Sequence, residues 1–89
     1  MEGEEQIDLM EEKKEYIIEF EYNGKEYSFG NLSYTDFVLD TFINKNWMGM
    51  MIEKYLDDNA LRHKNGYVSN ALLICNGKIC YRVNDFSKL

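Results

Sequence analysis

The sequence predicts an α+β domain in which two β-hairpins form a four-stranded antiparallel sheet, with helical structure between them (ββ-αα-ββ). An Asn-Gly pair lies at the centre of an alternating pattern twice, in residues 21–27 (EYNGKEY) and 74–80 (ICNGKIC). Between these patterns, residues 36–58 place apolar side chains at helical spacing. Helices packed on one face of such a sheet would bury the apolar side chains of both kinds of element.

The first hairpin is predicted from residues 15–22 (EYIIEFEY), which alternate apolar and acidic side chains with Ile17 as the exception. Asn23-Gly24 favours a two-residue type I′ turn, because that turn needs positive φ at both central positions. A two-residue turn fixes the pairing of the strands. The predicted pairs are Tyr22–Lys25, Glu21–Glu26, Phe20–Tyr27 and Ile18–Phe29.

The second hairpin is predicted from the same turn chemistry at Asn76-Gly77. Its predicted pairs are Cys75–Lys78, Ile74–Ile79, Leu73–Cys80 and Leu72–Tyr81. One face would carry Leu72, Ile74, Ile79, Tyr81 and Val83, and the other Ala71, Leu73, Cys75 and Cys80. Both faces are fairly apolar, so we expect this hairpin to be the more buried one or to be covered by a partner.

The segment between the hairpins predicts two helices, with one bent helix over residues 36–58 as the alternative. Ser33 with Asp36, or Thr35 itself, is expected to cap the first helix. Its apolar side chains fall on two sides, namely Val38, Leu39, Phe42 and Ile43 on one and Phe37 and Tyr34 on the other. We therefore expect it to contact apolar neighbours on two faces. Asn46 is expected to cap the second helix, whose main apolar stripe is Met48, Met51, Ile52, Tyr55 and Leu56.

The net charge of −6 belongs to the first third of the chain, because residues 1–26 hold ten acids and three lysines. Residues 1–14 are predicted to be a flexible or weakly helical acidic arm, and residues 15–89 a single domain. The acidic start does not resemble a signal peptide, and no apolar run reaches the roughly 18 residues of a membrane span. A cytoplasmic, non-membrane location is therefore expected.

The residues that carry most catalytic and metal chemistry are few. Cys75 and Cys80 would be diagonal neighbours about 7–8 Å apart, beyond the usual disulfide range of about 4.4–6.8 Å. A structural zinc site needs four ligands, and the chain offers two Cys and one His, His63. Two pairs of carboxylates lie at helical spacing and are expected on solvent-exposed helix faces, namely Asp36/Asp40 and Glu53/Asp57. The sequence predicts no enzyme, no metal and no cofactor.

Two groups of residues are candidates for binding a partner. Glu19, Glu21 and Glu26 share the outer side of the first hairpin, and Glu21 would lie directly opposite Glu26. Like charges opposite each other destabilise a strand pair, so a chain selected only for folding would gain from a lysine there. Trp47 and Met50 form the second group, because Trp and Met are enriched at contact surfaces.

The expected function is a small, acidic, non-enzymatic protein-binding module. It would inhibit a basic protein, such as one that binds nucleic acid, by placing carboxylates where phosphates would lie. Direct nucleic-acid binding is not expected, because phosphate contacts need clustered Lys and Arg. Lys, Asn, Ile and Tyr supply 31 of 89 residues, as AT-rich codons would, which fits a phage-encoded anti-defence or anti-CRISPR-type inhibitor. The alternative is an obligate homodimeric structural or subunit protein with an apolar helix and hairpin interface.

Overall fold

The computed structural model describes residues 13–86. Its elements in chain order are β1 (Lys14–Tyr22), β2 (Lys25–Tyr34), α1 (Asp36–Phe42), α2 (Lys45–Asp58), β3 (Val68–Cys75) and β4 (Lys78–Asp85). The sheet order is β2-β1-β3-β4 and all neighbouring strands are antiparallel, which confirms the predicted fold class. The predicted acidic arm over residues 1–14 lies outside the described residues, except for Lys13 and Lys14. Lys14 already begins β1.

The first hairpin has the predicted register. Asn23 and Gly24 have φ values of 53° and 84°, positive at both positions as the predicted turn requires. All four predicted pairs are present, including Glu21 with Glu26. Further from the turn, the register shifts between Tyr16 and Ile18. There β2 contains one extra residue, and Asn31 adopts a left-handed conformation with φ of 66°.

The second hairpin has the predicted turn, but its register changes two pairs from that turn. Cys75 pairs with Lys78 and Ile74 with Ile79, as expected. The next two predicted pairs are wrong, because Leu73 pairs with Tyr81 and Leu72 with Arg82. The cause is a β-bulge that adds Cys80 to β4 as an extra residue. The bulge moves Tyr81 and Val83 to the side of Leu73 and Ala71, where both pack in the core, so their predicted position on the face of Leu72 and Ile74 is wrong.

The core lies between one face of the sheet and the two helices. Every second residue of β1 is buried, namely Tyr16, Ile18, Phe20 and Tyr22. The helices contribute Leu39, Met48, Ile52 and Leu56 to the same apolar cluster. Each such large side chain stabilises the fold by about 1.5–3 kcal/mol when it is fully buried. Neither α1 nor α2, the helices of residues 13–86, is long and apolar enough to cross a membrane.

Two separate helices form, rather than one bent helix, because each has its own N-terminal cap. The Thr35 side chain caps α1, where its Oγ1 accepts a hydrogen bond from the Val38 N–H at 3.1 Å. The cap of α2 is Asn44 and not the predicted Asn46, since Asn44 Oδ1 accepts from the Trp47 N–H at 2.8 Å. Such caps satisfy backbone donors that have no partner inside the helix.

The predicted apolar stripe of α2 is confirmed, whereas the two-sided contact of α1 is not found within residues 13–86. Met48, Ile52 and Leu56 are buried, and Met51 and Tyr55 pack partly against them. On α1, Leu39 is buried, but Phe37 is 71% exposed and Val38 is 40% exposed. With only seven residues, α1 presents one side to the sheet and leaves the other in solvent.

Hydrogen bonds hold the loop between α2 and β3 against the end of the first hairpin. The hydroxyl of the buried Tyr22 accepts a hydrogen bond from the His63 N–H at 2.6 Å. Asn23 exchanges two hydrogen bonds with Tyr67, both of 3.0 Å, through its backbone N–H and its side-chain oxygen. Gly66 lies directly against Tyr22, so closely that a Cβ at this position would overlap the Tyr22 ring and hydroxyl.

Candidate functional site

The face of the sheet turned away from the helices carries the predicted carboxylates. Because β1 buries every second side chain against the helices, the intervening residues project to the opposite side. We call this side the outer face. By strand alternation and cross-strand pairing it includes Glu15, Ile17, Glu19, Glu21, Glu26, Ser28, Leu72, Ile74, Ile79 and Arg82.

Part of the outer face forms an open groove of about 370 Å³. Glu21 lies directly opposite Glu26, and Glu19 lies two positions along β1, opposite Ser28. The groove therefore gathers all three predicted carboxylates, and we call it the carboxylate groove. Its full lining is Glu19, Phe20, Glu21, Glu26, Tyr27, Ser28, Asn70 and Leu72.

A β-bulge in β3 shapes the wall of the groove that lies across from the carboxylates. Glu19 pairs with Leu72 and Glu21 with Ser69, so two residues of β3 oppose a single residue of β1. One of the two is Asn70, whose φ of 51° is left-handed. Asn70 is exposed and lines the groove, and an Asn side-chain amide is a hydrogen-bond donor. Sequence reasoning missed Asn70, although an Asn within the apolar run of β3 was an available signal for a bulge.

The three carboxylates have no ion-pair partner within residues 13–86. The ion pairs of the described residues lie elsewhere, between Lys14 and Asp36, Lys54 and Asp58, and Arg62 and both Glu53 and Asp57. Lys25, the cation next to the first turn, lies over the Tyr27 ring at 5.7 Å from the ring centroid. The negative charge of the groove is therefore left to attract a cation from outside the described chain.

The groove has the chemistry of a surface that binds cationic side chains. Ionised carboxylates accept short, charge-assisted hydrogen bonds from Lys and Arg, and paired carboxylate oxygens suit the planar guanidinium group. Within residues 13–86, no three His, Cys, Asp or Glu side chains are grouped so that they could hold a metal ion. Protein-family models, curated proteins and solved structures give no match to the chain.

The second predicted group, Trp47 and Met50, is not part of the outer face. Both residues belong to α2, which packs against the opposite side of the sheet. The Trp47 ring is half-buried and lies 6.0 Å from Tyr34 and 5.2 Å from Phe42 between ring centroids. Met50 is 65% exposed. The structure therefore separates the two predicted groups instead of joining them into one site.

An apolar row crosses the outer face beside the groove. Ile17 of β1 pairs with Ile74 of β3, and Ile74 pairs with Ile79 of β4. Ile17 is 46% exposed and Ile79 is 50% exposed, and we call these three residues the isoleucine row. Sequence reasoning did not select them, although two signals were present. Ile17 interrupts the alternation of β1, and the second hairpin is apolar on both faces.

The cysteines and the histidine do not form a common site. Cys75 is buried and Cys80 is exposed at the bulge, and both are free thiols. Partial burial of its sulfur raises the pKa of the Cys80 thiol, which lowers the fraction of reactive thiolate. His63 is exposed, and its ring stacks on Tyr22 with 5.8 Å between centroids. Its neighbour Arg62 is neutralised by Glu53 and Asp57.

A second polar cluster joins the start of β1 to the start of α1. Lys14 Nζ donates to Asp36 Oδ2 at 2.9 Å, and this bond raises the pKa of Lys14 and lowers the pKa of Asp36. The Tyr16 hydroxyl donates to Asp36 Oδ1 at 3.4 Å. Burial raises the pKa of Tyr16 to about 12, because the ionised phenolate would lose its hydration.

We expect Tyr16 to make the fold sensitive to alkaline pH. Its pKa is raised from 10.0 to about 12 in the folded chain, so its contribution is complete below pH 10. Above that pH the unfolded chain ionises first, and the contribution is lost as pH rises towards the folded pKa. When the pH is raised from about 9 to about 11, the free energy of unfolding should fall in the wild type. In Tyr16→Phe it should fall by about 1 kcal/mol less. Urea unfolding at both pH values measures this difference, and equal losses in the two proteins would contradict it.

Proposed function

We propose that the protein is an acidic protein-binding module whose carboxylate groove docks on a basic surface of another protein. The observation that supports this most is the gathering of Glu19, Glu21 and Glu26 around one open groove without an ion-pair partner in the described chain. A docked Lys or Arg would relieve the like-charge contact between Glu21 and Glu26. The carboxylates of the groove would thus have a more favourable electrostatic environment in a complex than in the free protein.

The proposed target is a protein that binds nucleic acid, and the proposed effect is inhibition. Carboxylates displayed along a strand pair offer acceptor oxygens to the same Lys and Arg side chains that hold phosphates. The protein and the nucleic acid would then compete for one surface. An effector of bacterial defence against phage is one target of this chemistry, and the AT-rich composition is in keeping with it.

The test begins with capture of the partner from the native host cell, followed by mass spectrometry. Calorimetric titration then compares the wild type with Glu21→Gln/Glu26→Gln and with a control, Asp40→Asn/Asp58→Asn, which removes two exposed carboxylates from the helices. We expect the groove variant to bind at least about tenfold more weakly, and the control to bind within about twofold of the wild type.

Salt and nucleic acid give two further readouts of the same proposal. Wild-type binding should weaken steeply as ionic strength rises, and the groove variant should show a smaller salt dependence. The partner's nucleic acid should displace the protein in a competition experiment. Two results would count against docking through the groove. One is an affinity that does not change with ionic strength, and the other is an equal loss of affinity in the helix control.

A further inference from the structure

Next to the isoleucine row, the outer face carries opposite charges on different strands. On the β1 side lie the carboxylates of the groove, beginning with Glu19 immediately beside the row. On the β4 side lies Arg82, which is exposed and makes no ion pair within residues 13–86. Glu19, Leu72 and Arg82 form the next row across the sheet, with Ser28 at its β2 end.

The same face also has a matching difference in side-chain size. At the β4 end of the isoleucine row, Ile79 is half exposed. At the β2 end, Gly30 lies beside Ile17, and a Cβ placed there would be 3.5 Å from the nearest atom of that side chain. The row therefore ends in a projection on β4 and in a shallow gap on β2.

We propose that the outer face binds the outer face of a second copy of this chain. A two-fold axis running along the strands, midway between β1 and β3, places β1 over β3 and β2 over β4 of the other copy. Ile17 then meets Ile74 of the second copy, and the Ile79 side chain fills the gap at Gly30. Arg82 of each copy lies over Ser28 of the other, within reach of Glu19.

This arrangement explains why a second copy fits the face better than an unrelated apolar surface. The face is complementary to itself, since the two-fold axis brings its acidic side over its basic residue and its projection over its gap. Both contacts occur twice in one dimer, as symmetry requires. An apolar row exposed on a sheet is otherwise a liability for non-specific association.

The size of the face sets the expected strength of the dimer. Four strands about 4.8 Å apart are about 19 Å wide, and six residues at about 3.3 Å extend over about 20 Å. Such a face covers about 400 Å² in projection, which is below the roughly 800 Å² that a standard stable interface buries on each partner, so the dimer should be weak and transient. We therefore expect reversible dimerisation with a dissociation constant on the order of 10 µM.

The dimer does not depend on the proposed function, but the two would compete. A second copy covers Glu19 and the entrance of the carboxylate groove, so the monomer would be the form that docks on a basic protein. Glu21→Gln/Glu26→Gln separates the two proposals. It should weaken partner binding while leaving the dimer at least as stable, because in the dimer these residues do not face a cation.

Sedimentation equilibrium of complementary charge variants tests the dimer. Glu19→Arg alone and Arg82→Glu alone should each raise the dissociation constant by roughly tenfold, because each places like charges together twice. Mixing the two variants restores opposite charges at both contacts, so the mixture should form a heterodimer with nearly wild-type affinity. Asp40→Arg, on the exposed side of α1, is the control and should leave the dimer unchanged.

Three results would overturn the proposal. The first is a wild-type monomer up to submillimolar concentration, and the second is a dimer that Ile79→Thr and both charge variants leave intact. The third is a mixture of the charge variants that stays monomeric while circular dichroism shows both to be folded. If crosslinking shows residues 1–12 of the same chain, or a different protein, on the isoleucine row, that occupant replaces the second copy.

Discussion

Gly66→Ala should lower the free energy of unfolding by about 3 kcal/mol, because an overpacked site forces its neighbours to move. The added Cβ would overlap the Tyr22 side chain, which is 3% exposed and belongs to the apolar core. A shift of Tyr22 would also break the hydrogen bond that its hydroxyl accepts from the His63 N–H. Because Gly66 does not have a positive φ, the expected loss comes from crowding and not from backbone strain.

Gly30→Ala is the matched control for this experiment. Its Cβ would make ordinary contacts, 3.5 Å to the Ile17 side chain and 3.8 Å to the Tyr16 carbonyl oxygen. It should therefore change the free energy of unfolding by less than about 1 kcal/mol. Urea unfolding of both variants measures the contrast. Equal stabilities would show that the loop between α2 and β3 does not pack on Tyr22 in this way.

Phe20→Ala should be the most damaging of these substitutions, with an expected loss of about 3–5 kcal/mol. The Phe20 side chain is 2% exposed and joins three elements. Its ring lies 5.6 Å from Tyr27, 6.2 Å from Phe29 and 6.0 Å from Tyr55, between centroids. Removing it leaves a cavity between β1, β2 and α2. Because small domains are stable by only about 5–10 kcal/mol, this loss would remove a large part of the free energy of unfolding.

Phe37→Ala makes the same chemical change at a position that is 71% exposed. It should alter the free energy of unfolding by no more than about 0.5 kcal/mol. Thermal unfolding monitored by circular dichroism compares the two variants directly. A large loss from Phe37→Ala would mean that Phe37 is covered, by another copy or by another part of the chain, and would revive the predicted two-sided contact of α1.

Turn chemistry explains why the hairpins could be predicted and where the prediction failed. An Asn-Gly turn of two residues determines the pairing of its nearest neighbours, so the pairs next to each turn are correct. The bulge at Cys80 could not be foreseen in the same way. Cys80 and Tyr81 can each cover a core position, so the side-chain pattern fits a regular strand and a bulged one equally well.

The candidate site shows the same division between local and long-range information. Glu19, Glu21 and Glu26 belong to one hairpin, so strand alternation placed them together. The isoleucine row depends on the pairing of β1 with β3, and nothing near Ile17 or Ile74 in the sequence specifies that register. The cap of α2 was ambiguous for a simpler reason. Asn44 and Asn46 are equally good capping residues, and only the packing of the helix decides between them.

The position of Trp47 has a practical consequence for all these experiments. It is the single tryptophan of the chain, and its ring packs against Tyr34 and Phe42 on the helix side of the sheet. Its fluorescence emission therefore reports whether the helices are docked on the sheet. The substitutions on the outer face lie on the other side and leave this fluorophore's surroundings intact. One optical signal can thus verify that each surface variant is folded before its binding is measured.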